Sequence, residues 1–180
     1  GGLYRDKPSA MARFVERTLA LPEAVRSRLV LENDERIYRV EDTYALYEQT
    51  GMRLVLDQLH HLCNHEPGQN LEQALALALS TWPAGQTPKI HFSSPRTALI
   101  AAGKRAASGV RQPGFRLPRL SQHADLIDPF AFVELLRLAP CQDRDFDVML
   151  ECKAKDVALL RLRDQLARLA PDLVARCQLT

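Results

Sequence analysis

The chain has 180 residues, a mass of 20.3 kDa and a formal charge of +2, which is too small to indicate a partner by itself. Hydrophobic residues make up 46% and charged residues 26%, a balance that excludes a disordered chain and is typical of a globular domain. The longest apolar run, residues 74–79, is far shorter than the ~18 residues of a membrane span. We therefore expect a single domain over residues 1–180 that has no membrane partner.

Two features of the sequence concern its origin and location. The first residues do not have the features of a signal peptide. The chain has no initiator Met, so we expect it to begin inside a longer protein. Its cysteines lie far apart and form no CxxC pair, which disfavours a disulfide scaffold and a cysteine-type zinc site. Reduced thiols in an intracellular, cytoplasmic protein fit this pattern better. The cysteines are Cys63, Cys141, Cys152 and Cys177.

After an opening helix, one pattern occurs four times along the chain: a short apolar run that ends in a polar residue, and then a helical stretch. Short, continuously apolar runs are typical of strands that are buried on both faces, as in parallel sheets. The predicted elements, in chain order, are a helix over Ser9–Leu21, a strand over Leu29–Leu31, a helix over Val40–Gln49, a strand over Leu54–Leu56, a helix over Leu71–Thr81, a strand over Lys89–Ile90, a helix over Pro129–Leu138, a strand over Val148–Leu150 and a helix over Lys155–Ala170.

This alternation predicts an α/β fold with a parallel sheet. A doubly wound sheet would favour a glycine-rich first turn, and the sequence contains no GxGxxG motif. A complete (β/α)8 barrel needs about 250 residues. We therefore expect a TIM-barrel type of fold, of which this chain covers the second half with four βα units.

Residues 97–122 interrupt the regular alternation. This segment has no acidic residue, and it combines several glycines and prolines with five basic side chains. The pattern predicts a long, basic, mobile loop inserted into the domain. Loops of this length are either functional or disordered, and the composition leaves both interpretations open. The basic residues are Lys104, Arg105, Arg111, Arg116 and Arg119.

Polar side chains that can bind metal ions follow the predicted strands. In a parallel α/β barrel the carboxyl ends of the strands open onto one face, so residues at these ends converge. A single carboxylate there is more often a helix cap, and a single histidine in a loop is more often solvated. Four successive strand ends of this kind are harder to attribute to capping. The candidates are Glu32, Asp57, His91 and Glu151 at the strand ends, with His60 and His123 in the following loops.

The chemistry of these candidates favours a metal centre. Three carboxylates and three imidazoles without a thiolate suit divalent zinc, manganese or iron. Carboxylates this close would repel one another without a cation, and a bound metal removes that conflict. Several adjacent ions can also activate water and stabilise an in-line phosphoryl displacement.

Lys89 is a separate candidate. It lies two residues before His91, so both side chains are expected on the same face of the strand. A lysine that faces a barrel interior is costly unless it is paired or modified. One interpretation is a salt bridge to Glu32 or Asp57, and the other is a lysine carbamate that serves as an additional carboxylate ligand.

Six stretches in this order resemble the UV damage endonuclease family (UvdE) over nearly the whole length of the chain. Each stretch is weak alone, and the block that contains Lys89 and His91 is the most specific. The matching stretches are Leu29–Asp34, Asp57–His61, Thr81–Trp82, Pro88–Arg96, His123–Asp125 and Phe146–Asp156.

The resemblance implies a metal-dependent TIM barrel, related in architecture to the endonuclease IV class, that nicks damaged double-stranded DNA on the 5′ side of UV photoproducts and other lesions. It implies that Lys89 is the family's modified lysine and that Glu151, Glu32 and Lys89 are catalytic. The implied cofactors are up to three manganese-like ions, with Zn²⁺ or Mg²⁺ as alternatives. The implied metal ligands are Glu32, Asp57, His60, Lys89, His91, His123 and Glu151.

The resemblance also suggests partners. Arg96 and Lys153 lie beside the proposed ligands and are candidates for binding the DNA phosphate, and Lys104 and Arg105 are candidates within residues 97–122. The opening stretch Gly1–Lys7 resembles the family's His-x-Gly-Gly turn without its histidine, so the N-terminal half of the same barrel is expected to precede it with a further ligand.

Two other functions remain open at this point. A metal-dependent sugar isomerase or epimerase uses similar residues on the same barrel, although the basic segment disfavours a small neutral substrate. The chain could also be an inactive barrel fragment. We expect His61, His65 and Trp82 to have structural roles.

Overall fold

The computed structural model describes residues 2–3, 5–105, 111–139 and 144–175, and of residues 104, 105, 111 and 112 it describes the backbone alone. Gly1, Cys141, Cys177 and the side chains of Lys104 and Arg105 lie outside this part. Helices and strands alternate along the chain. They are α1 (Lys7–Leu19), α2 (Glu23–Arg26), β1 (Val30–Glu32), α3 (Val40–Thr50), β2 (Arg53–Asp57), α4 (Gln58–Cys63), α5 (Leu71–Ser80), β3 (Lys89–Phe92), β4 (Ile100–Ala101), β5 (Lys104–Arg105), β6 (Arg111–Gln112), β7 (Phe115–Arg116), α6 (Pro129–Leu138), β8 (Asp147–Leu150), α7 (Lys155–Leu169) and α8 (Pro171–Val174).

The main sheet has four strands in the order β1-β2-β3-β8, and each pair is parallel. Strands that are neighbours in the sheet are therefore also successive members of the βα pattern. The register pairs Asp57 with His91 and His91 with Met149, so the ends of neighbouring strands lie side by side. The predicted α/β fold with a parallel sheet is confirmed.

Local capping explains where the helices begin and end. Asp128 precedes α6, and its Oδ1 accepts a hydrogen bond from the Phe130 N–H at 2.9 Å. Gly51 ends α3 in the left-handed conformation, with φ of 70°, which glycine adopts without strain. α1 begins two residues before the predicted start, because the Asp6 carboxylate accepts the Ser9 N–H at 2.9 Å and fixes the first turn at Lys7.

The core lies between one face of the sheet and the helices. Leu54, Leu56, Ile90 and Phe92 project from that face, and each is at most 2% exposed. Phe92 packs edge-on against Phe132 of α6, with the ring centroids 5.1 Å apart. Burying each of these side chains contributes about 1.5–3 kcal/mol, so this layer fixes the strands and the positions of their ends.

The opposite face of the sheet is more open in the described part of the chain. Val30 and Met149 on this face are 42% and 54% exposed. Because side chains alternate along a strand, Glu32 and His91 project on this same side. The polar strand ends therefore meet on the face that the helices leave open.

The segment over residues 97–122 differs from the prediction. The sequence predicts a mobile loop, but β4 pairs with β7 and β5 pairs with β6, both antiparallel, so the chain runs out and back as a hairpin. Its strands have two residues each and are separated by glycine and proline, so they give no periodic pattern in the sequence. We refer to residues 97–105 and 111–122 as the basic arm.

Two arginines hold the segment between α5 and β3, on the side of the sheet where the strands begin. The Arg144 guanidinium donates hydrogen bonds to the carbonyls of Leu79 and Trp82, both at 3.0 Å, and also to two further carbonyls after α5. Arg53 lies over the Trp82 ring at 4.7 Å, and the Trp82 Nε1–H donates to the Leu54 carbonyl. This arrangement confirms the structural role predicted for Trp82.

Among the described residues, each helix is too short or too polar to cross a membrane.

Candidate metal centre

The strand ends bring all six predicted imidazole and carboxylate ligands into one cluster. Glu32 and Asp57 are the last residues of β1 and β2, His91 lies near the end of β3, and Glu151 follows β8. His60 projects from the first turn of α4, and His123 forms an isolated bridge with Pro95 after the basic arm. The parallel register therefore places side chains that are distant in sequence at one edge of the sheet.

Short distances link these side chains to one another. The Glu32 carboxylate lies 3.2 Å from His60 Nδ1 and 3.6 Å from His91 Nδ1. The Glu151 carboxylate lies 3.2 Å from His91 Nδ1 and 3.7 Å from His123 Nδ1. Each histidine of the cluster thus contacts at least one carboxylate, and the cluster is continuous from β1 to the residue after β8.

Asp57 is the most deeply buried member of the cluster, with no exposed surface. Its Oδ1 accepts the His60 N–H at 2.7 Å and caps α4, which is the ordinary role of a carboxylate at this position. Its Oδ2 forms no hydrogen bond within the described residues. Its nearest charged neighbour is Nδ1 of His60, at 3.7 Å. A buried carboxylate oxygen that accepts no hydrogen bond is costly, and a cation bound to it would reduce that cost.

Asn33 positions Asp57 and was not singled out from the sequence. The Asn33 side chain donates to the Asp57 carbonyl at 3.0 Å and accepts the Asp57 N–H at 2.9 Å, and the residue is 2% exposed. This reciprocal pair ties the residue after β1 to the end of β2. The only local signal is an amide directly after the strand-ending Glu32.

Asn33 also fixes the orientation of His60. The Nδ1 atom of His60 lies 3.0 Å from the Asn33 carbonyl oxygen. A carbonyl oxygen can only accept, so Nδ1 must carry a proton in this contact. The Nε2 atom of His60 is then the nitrogen available to a metal ion, as is usual when the other ring nitrogen is held by a carbonyl or carboxylate.

The charges in the cluster depend strongly on one another. Burial opposes ionisation of Glu32, but the contacts with the His60 and His91 imidazoles outweigh it and lower the Glu32 pKa to about 2. The adjacent Glu32 carboxylate raises the pKa of His60 to about 9, and it also raises the pKa of His91. Burial raises the pKa of Asp57, and the neighbouring charges of Glu32 and Glu151 act in the same direction.

The arrangement fits one or more divalent cations. Ligand atoms of Asp57, His60 and His123 lie within 4.8 Å of one another, and so do those of Glu32, Asp57 and His91. The two groups share Asp57, which places it between two adjacent positions. Oxygen and imidazole ligands without thiolate are the donors preferred by manganese, iron and zinc. Divalent metal binding is therefore consistent with the cluster.

Lys89 lies apart from both groups. Its Nζ is 2.7 Å from Oδ2 of Asp147, so the predicted ion pair with Glu32 or Asp57 is wrong. The reason is the register: Lys89 and Asp147 are direct neighbours at the start of β3 and β8. The carbamate interpretation stays a prediction.

The residues predicted to bind DNA have different surroundings. Lys153 is exposed and lines a cavity of about 490 Å³ together with His123 and Glu151. Arg96 is half-buried at the start of the basic arm, where its Nε lies 3.3 Å from the Ala98 carbonyl. Lys153 thus lies beside the cluster.

His61 has a structural environment, in line with the prediction. It is 5% exposed, and its ring centroid lies 5.3 Å from that of His65. Burial, with a smaller contribution from His65, lowers its pKa to about 4. His61 is therefore a neutral, packed side chain, whereas its neighbour His60 faces the cluster.

The fold and the cluster define an α/β protein with a candidate divalent-metal centre at the carboxyl ends of its parallel strands. The model of the family UV-endonuclease UvdE matches residues 1–176. The chain belongs to this family.

Individual relatives agree with this assignment. The UV DNA damage endonucleases of Bacillus pumilus strain SAFR-032 and Bacillus velezensis strain FZB42 are 37% and 34% identical to this chain, and each match covers 93% of the chain and 47% of the relative. The crystal structure of SacUVDE matches with a TM-score of 0.71 and 27% identity, over 94% of this chain and 50% of that one. The chain thus spans about half the length of the relatives it matches.

Proposed function

We propose that this chain is the C-terminal half of a TIM-barrel DNA repair endonuclease that cuts damaged double-stranded DNA on the 5′ side of UV photoproducts and other lesions. The principal support is the cluster of three carboxylates and three imidazoles at the strand ends. Membership of the UvdE family favours this function over a sugar isomerase on a similar barrel.

The half-barrel proposal has separate support. The four parallel strands follow one another in the sheet in chain order, and the helices pack on one face. The other face exposes Val30 and Met149, as expected for a barrel interior that is completed by a first half from another part of the protein. The relatives are about twice as long as this chain, so the N-terminal half of the same barrel is the partner we propose.

The proposed cofactors are divalent ions, with Mn²⁺ as the first candidate, Zn²⁺ or Mg²⁺ as alternatives, and up to three bound together. Bound ions of this kind supply a water of lowered pKa and stabilise charge on the oxygens of a phosphodiester. Oδ2 of Asp57 is buried and accepts no hydrogen bond from the described residues, and Asp57 belongs to both donor groups; both features fit such ions. The proposed ligands are Glu32, Asp57, His60, His91, His123 and Glu151. Lys89 would join them only as a carbamate, which would replace the ammonium group that now pairs with Asp147.

The chain's own residues would act on the substrate as follows. Glu151 borders the cavity and can accept a hydrogen bond from the attacking water, with Glu32 on the other side of His91. Lys153 on the cavity wall can bind the scissile phosphate. Arg96, Lys104 and Arg105 are proposed to bind phosphates farther along the DNA.

The proposal is tested by incision of UV-irradiated and undamaged duplex DNA with the full-length protein that contains this chain. We expect Mn²⁺-dependent cutting of irradiated DNA, and we expect Glu151→Gln to reduce the rate by at least about 10³-fold, because several kcal/mol of transition-state stabilisation is lost. Glu134→Gln, on the exposed side of α6, is the matched control. Undiminished cutting by Glu151→Gln would contradict the proposed role, and no incision by the wild type would contradict the function.

A further inference from the structure

The basic arm is rooted directly beside the candidate metal centre. Pro95 bridges His123, and the Arg96 N–H donates to the Gln122 carbonyl at 2.6 Å. The Ala124 N–H donates to the Ser94 carbonyl at 2.8 Å. Both ends of the arm are therefore fixed within a few residues of His91 and His123.

The two sides of the arm are held close together by Gly114. The Ala102 N–H donates to the Gly114 carbonyl at 2.7 Å. A Cβ atom at position 114 would lie only 2.6 Å from the Ala102 carbonyl oxygen, so a larger residue would force the strands apart. Phe115 follows immediately and pairs with Ala101. The sequence thus builds a tight ribbon at this point.

The charge of the arm is of one sign. It contains five basic residues and no acidic residue. Arg116 and Arg119 are exposed and form no ion pair with any residue in the described ranges. An uncompensated positive surface beside a phosphodiesterase centre is complementary to a polyanion.

Two large apolar side chains lie among these arginines and face solvent. Phe115 is 72% exposed and Leu117 is 77% exposed, the two highest values among the exposed large hydrophobic residues of the described chain. Apolar groups alternating with arginines are suited to nucleic acid, because the cations contact phosphates while the apolar groups contact bases or sugars. Inserted apolar side chains are also how several proteins stabilise a bent or unstacked duplex.

We propose that the basic arm grips the distorted part of a duplex next to the metal centre, with Arg116 and Arg119 on phosphates and with Phe115 and Leu117 against unstacked bases. The proposal rests on DNA being the substrate. Opening a base step costs free energy, and the cost is smallest where a lesion has already weakened stacking. Phe115 and Leu117 would therefore contribute to discrimination, whereas the arginines would bind all duplexes.

The test is equilibrium binding of the full-length protein to duplexes with and without a single UV photoproduct. Ca²⁺ is the divalent ion in the binding buffer, and gels verify that the DNA is intact. Phe115→Ala/Leu117→Ala should weaken binding to the damaged duplex about tenfold, from the loss of one or two stacking contacts. Its affinity for the undamaged duplex should change by less than about threefold, and the salt dependence of binding should stay the same. Phe130→Ala, at a 66% exposed position on α6, is the matched control and should bind like the wild type.

The arginines give a second, independent readout. Arg116→Gln/Arg119→Gln should weaken binding to both duplexes and reduce the slope of log affinity against log salt by about two, which is roughly 0.9 for each lost phosphate contact. Wild-type affinity in both double variants would overturn the proposal. An equal loss in Phe130→Ala would overturn it as well. The proposal would also be overturned if the arm variants changed only the protein's mass in solution, because the arm would then be an interface between copies of the protein.

Incision by the same preparations separates this inference from the proposed function. If the wild type cuts irradiated DNA and the arm variants bind and cut like it, the function stands and the arm proposal fails. If the arm variants lose duplex affinity as described but the wild type does not cut, the arm proposal stands and the endonuclease function fails.

Discussion

The two ends of the parallel sheet differ in how completely their polar groups are paired. At the amino-terminal ends, Arg144 and Arg53 are matched with carbonyl oxygens and with the Trp82 ring, so each cation has a partner. At the carboxyl ends, Oδ2 of Asp57 is buried without a hydrogen bond among the described residues, and two further carboxylates lie close enough to raise its pKa. The first end has the features of a stabilising clamp, and the second has the features of a site built for a ligand.

Removal of metal ions should have the largest effect, and it should act only on the carboxyl end. We expect a chelator to reduce incision by the full-length protein at least about 10³-fold, which corresponds to about 4 kcal/mol, and added Mn²⁺ to restore it. The circular dichroism spectrum should not change, because the core layer does not depend on the cluster. Incision that persists after chelation would contradict a metal-dependent site at the carboxyl ends of the strands.

The amino-terminal end should respond to substitution of Arg144. Arg144→Met leaves four carbonyl oxygens without their charged donor, two of them part-buried, and should lower the free energy of unfolding by about 2–3 kcal/mol. Affinity for Mn²⁺ should be retained. Arg163→Met, whose side chain is 51% exposed on α7, is the control for denaturant unfolding. Equal stability of the two variants would show that the clamp contributes nothing.

We expect a smaller effect from substitution of Asn33, a structural residue that positions two of the candidate metal ligands. Asn33→Ala removes the reciprocal pair with Asp57 and the fixed backbone beside His60. Affinity for Mn²⁺ should fall about 10- to 100-fold, as is typical when a residue that orients metal ligands is lost. Calorimetric titration measures this directly. Asn70→Ala, which removes an exposed cap of α5, should leave the affinity unchanged. A normal affinity in Asn33→Ala would mean that Asp57 and His60 need no such support.

The part of the site that could be predicted is the part encoded in single strands. Glu32 and Asp57 each end a short apolar run, and this boundary is visible in the sequence because a buried strand must stop where a charge begins. The helix starting after Asp128 was predictable for a similar reason, since an aspartate followed by proline is a strong local start signal.

What could not be predicted depends on contacts between strands. Lys89 pairs with Asp147 across 58 positions of the chain because of the register of β3 and β8, which no local pattern contains. The role of Asn33 depends equally on the neighbouring strand. The hairpin of the basic arm was missed because its strands have only two residues each and three of the four contain arginine, which gives no alternating apolar pattern.

The most direct test of the account is the effect of Mn²⁺ on the stability of the wild-type protein and of Asp57→Asn, both full-length. The amide introduced by this substitution would keep the cap of α4 but remove the buried charge, so the metal-free variant should be at least as stable as the wild type. At an Mn²⁺ concentration about 100 times its dissociation constant, the wild type should gain about 2.7 kcal/mol of unfolding free energy, and the variant should gain almost none. An equal gain in both proteins, or none in the wild type, would contradict a metal centre at these strand ends.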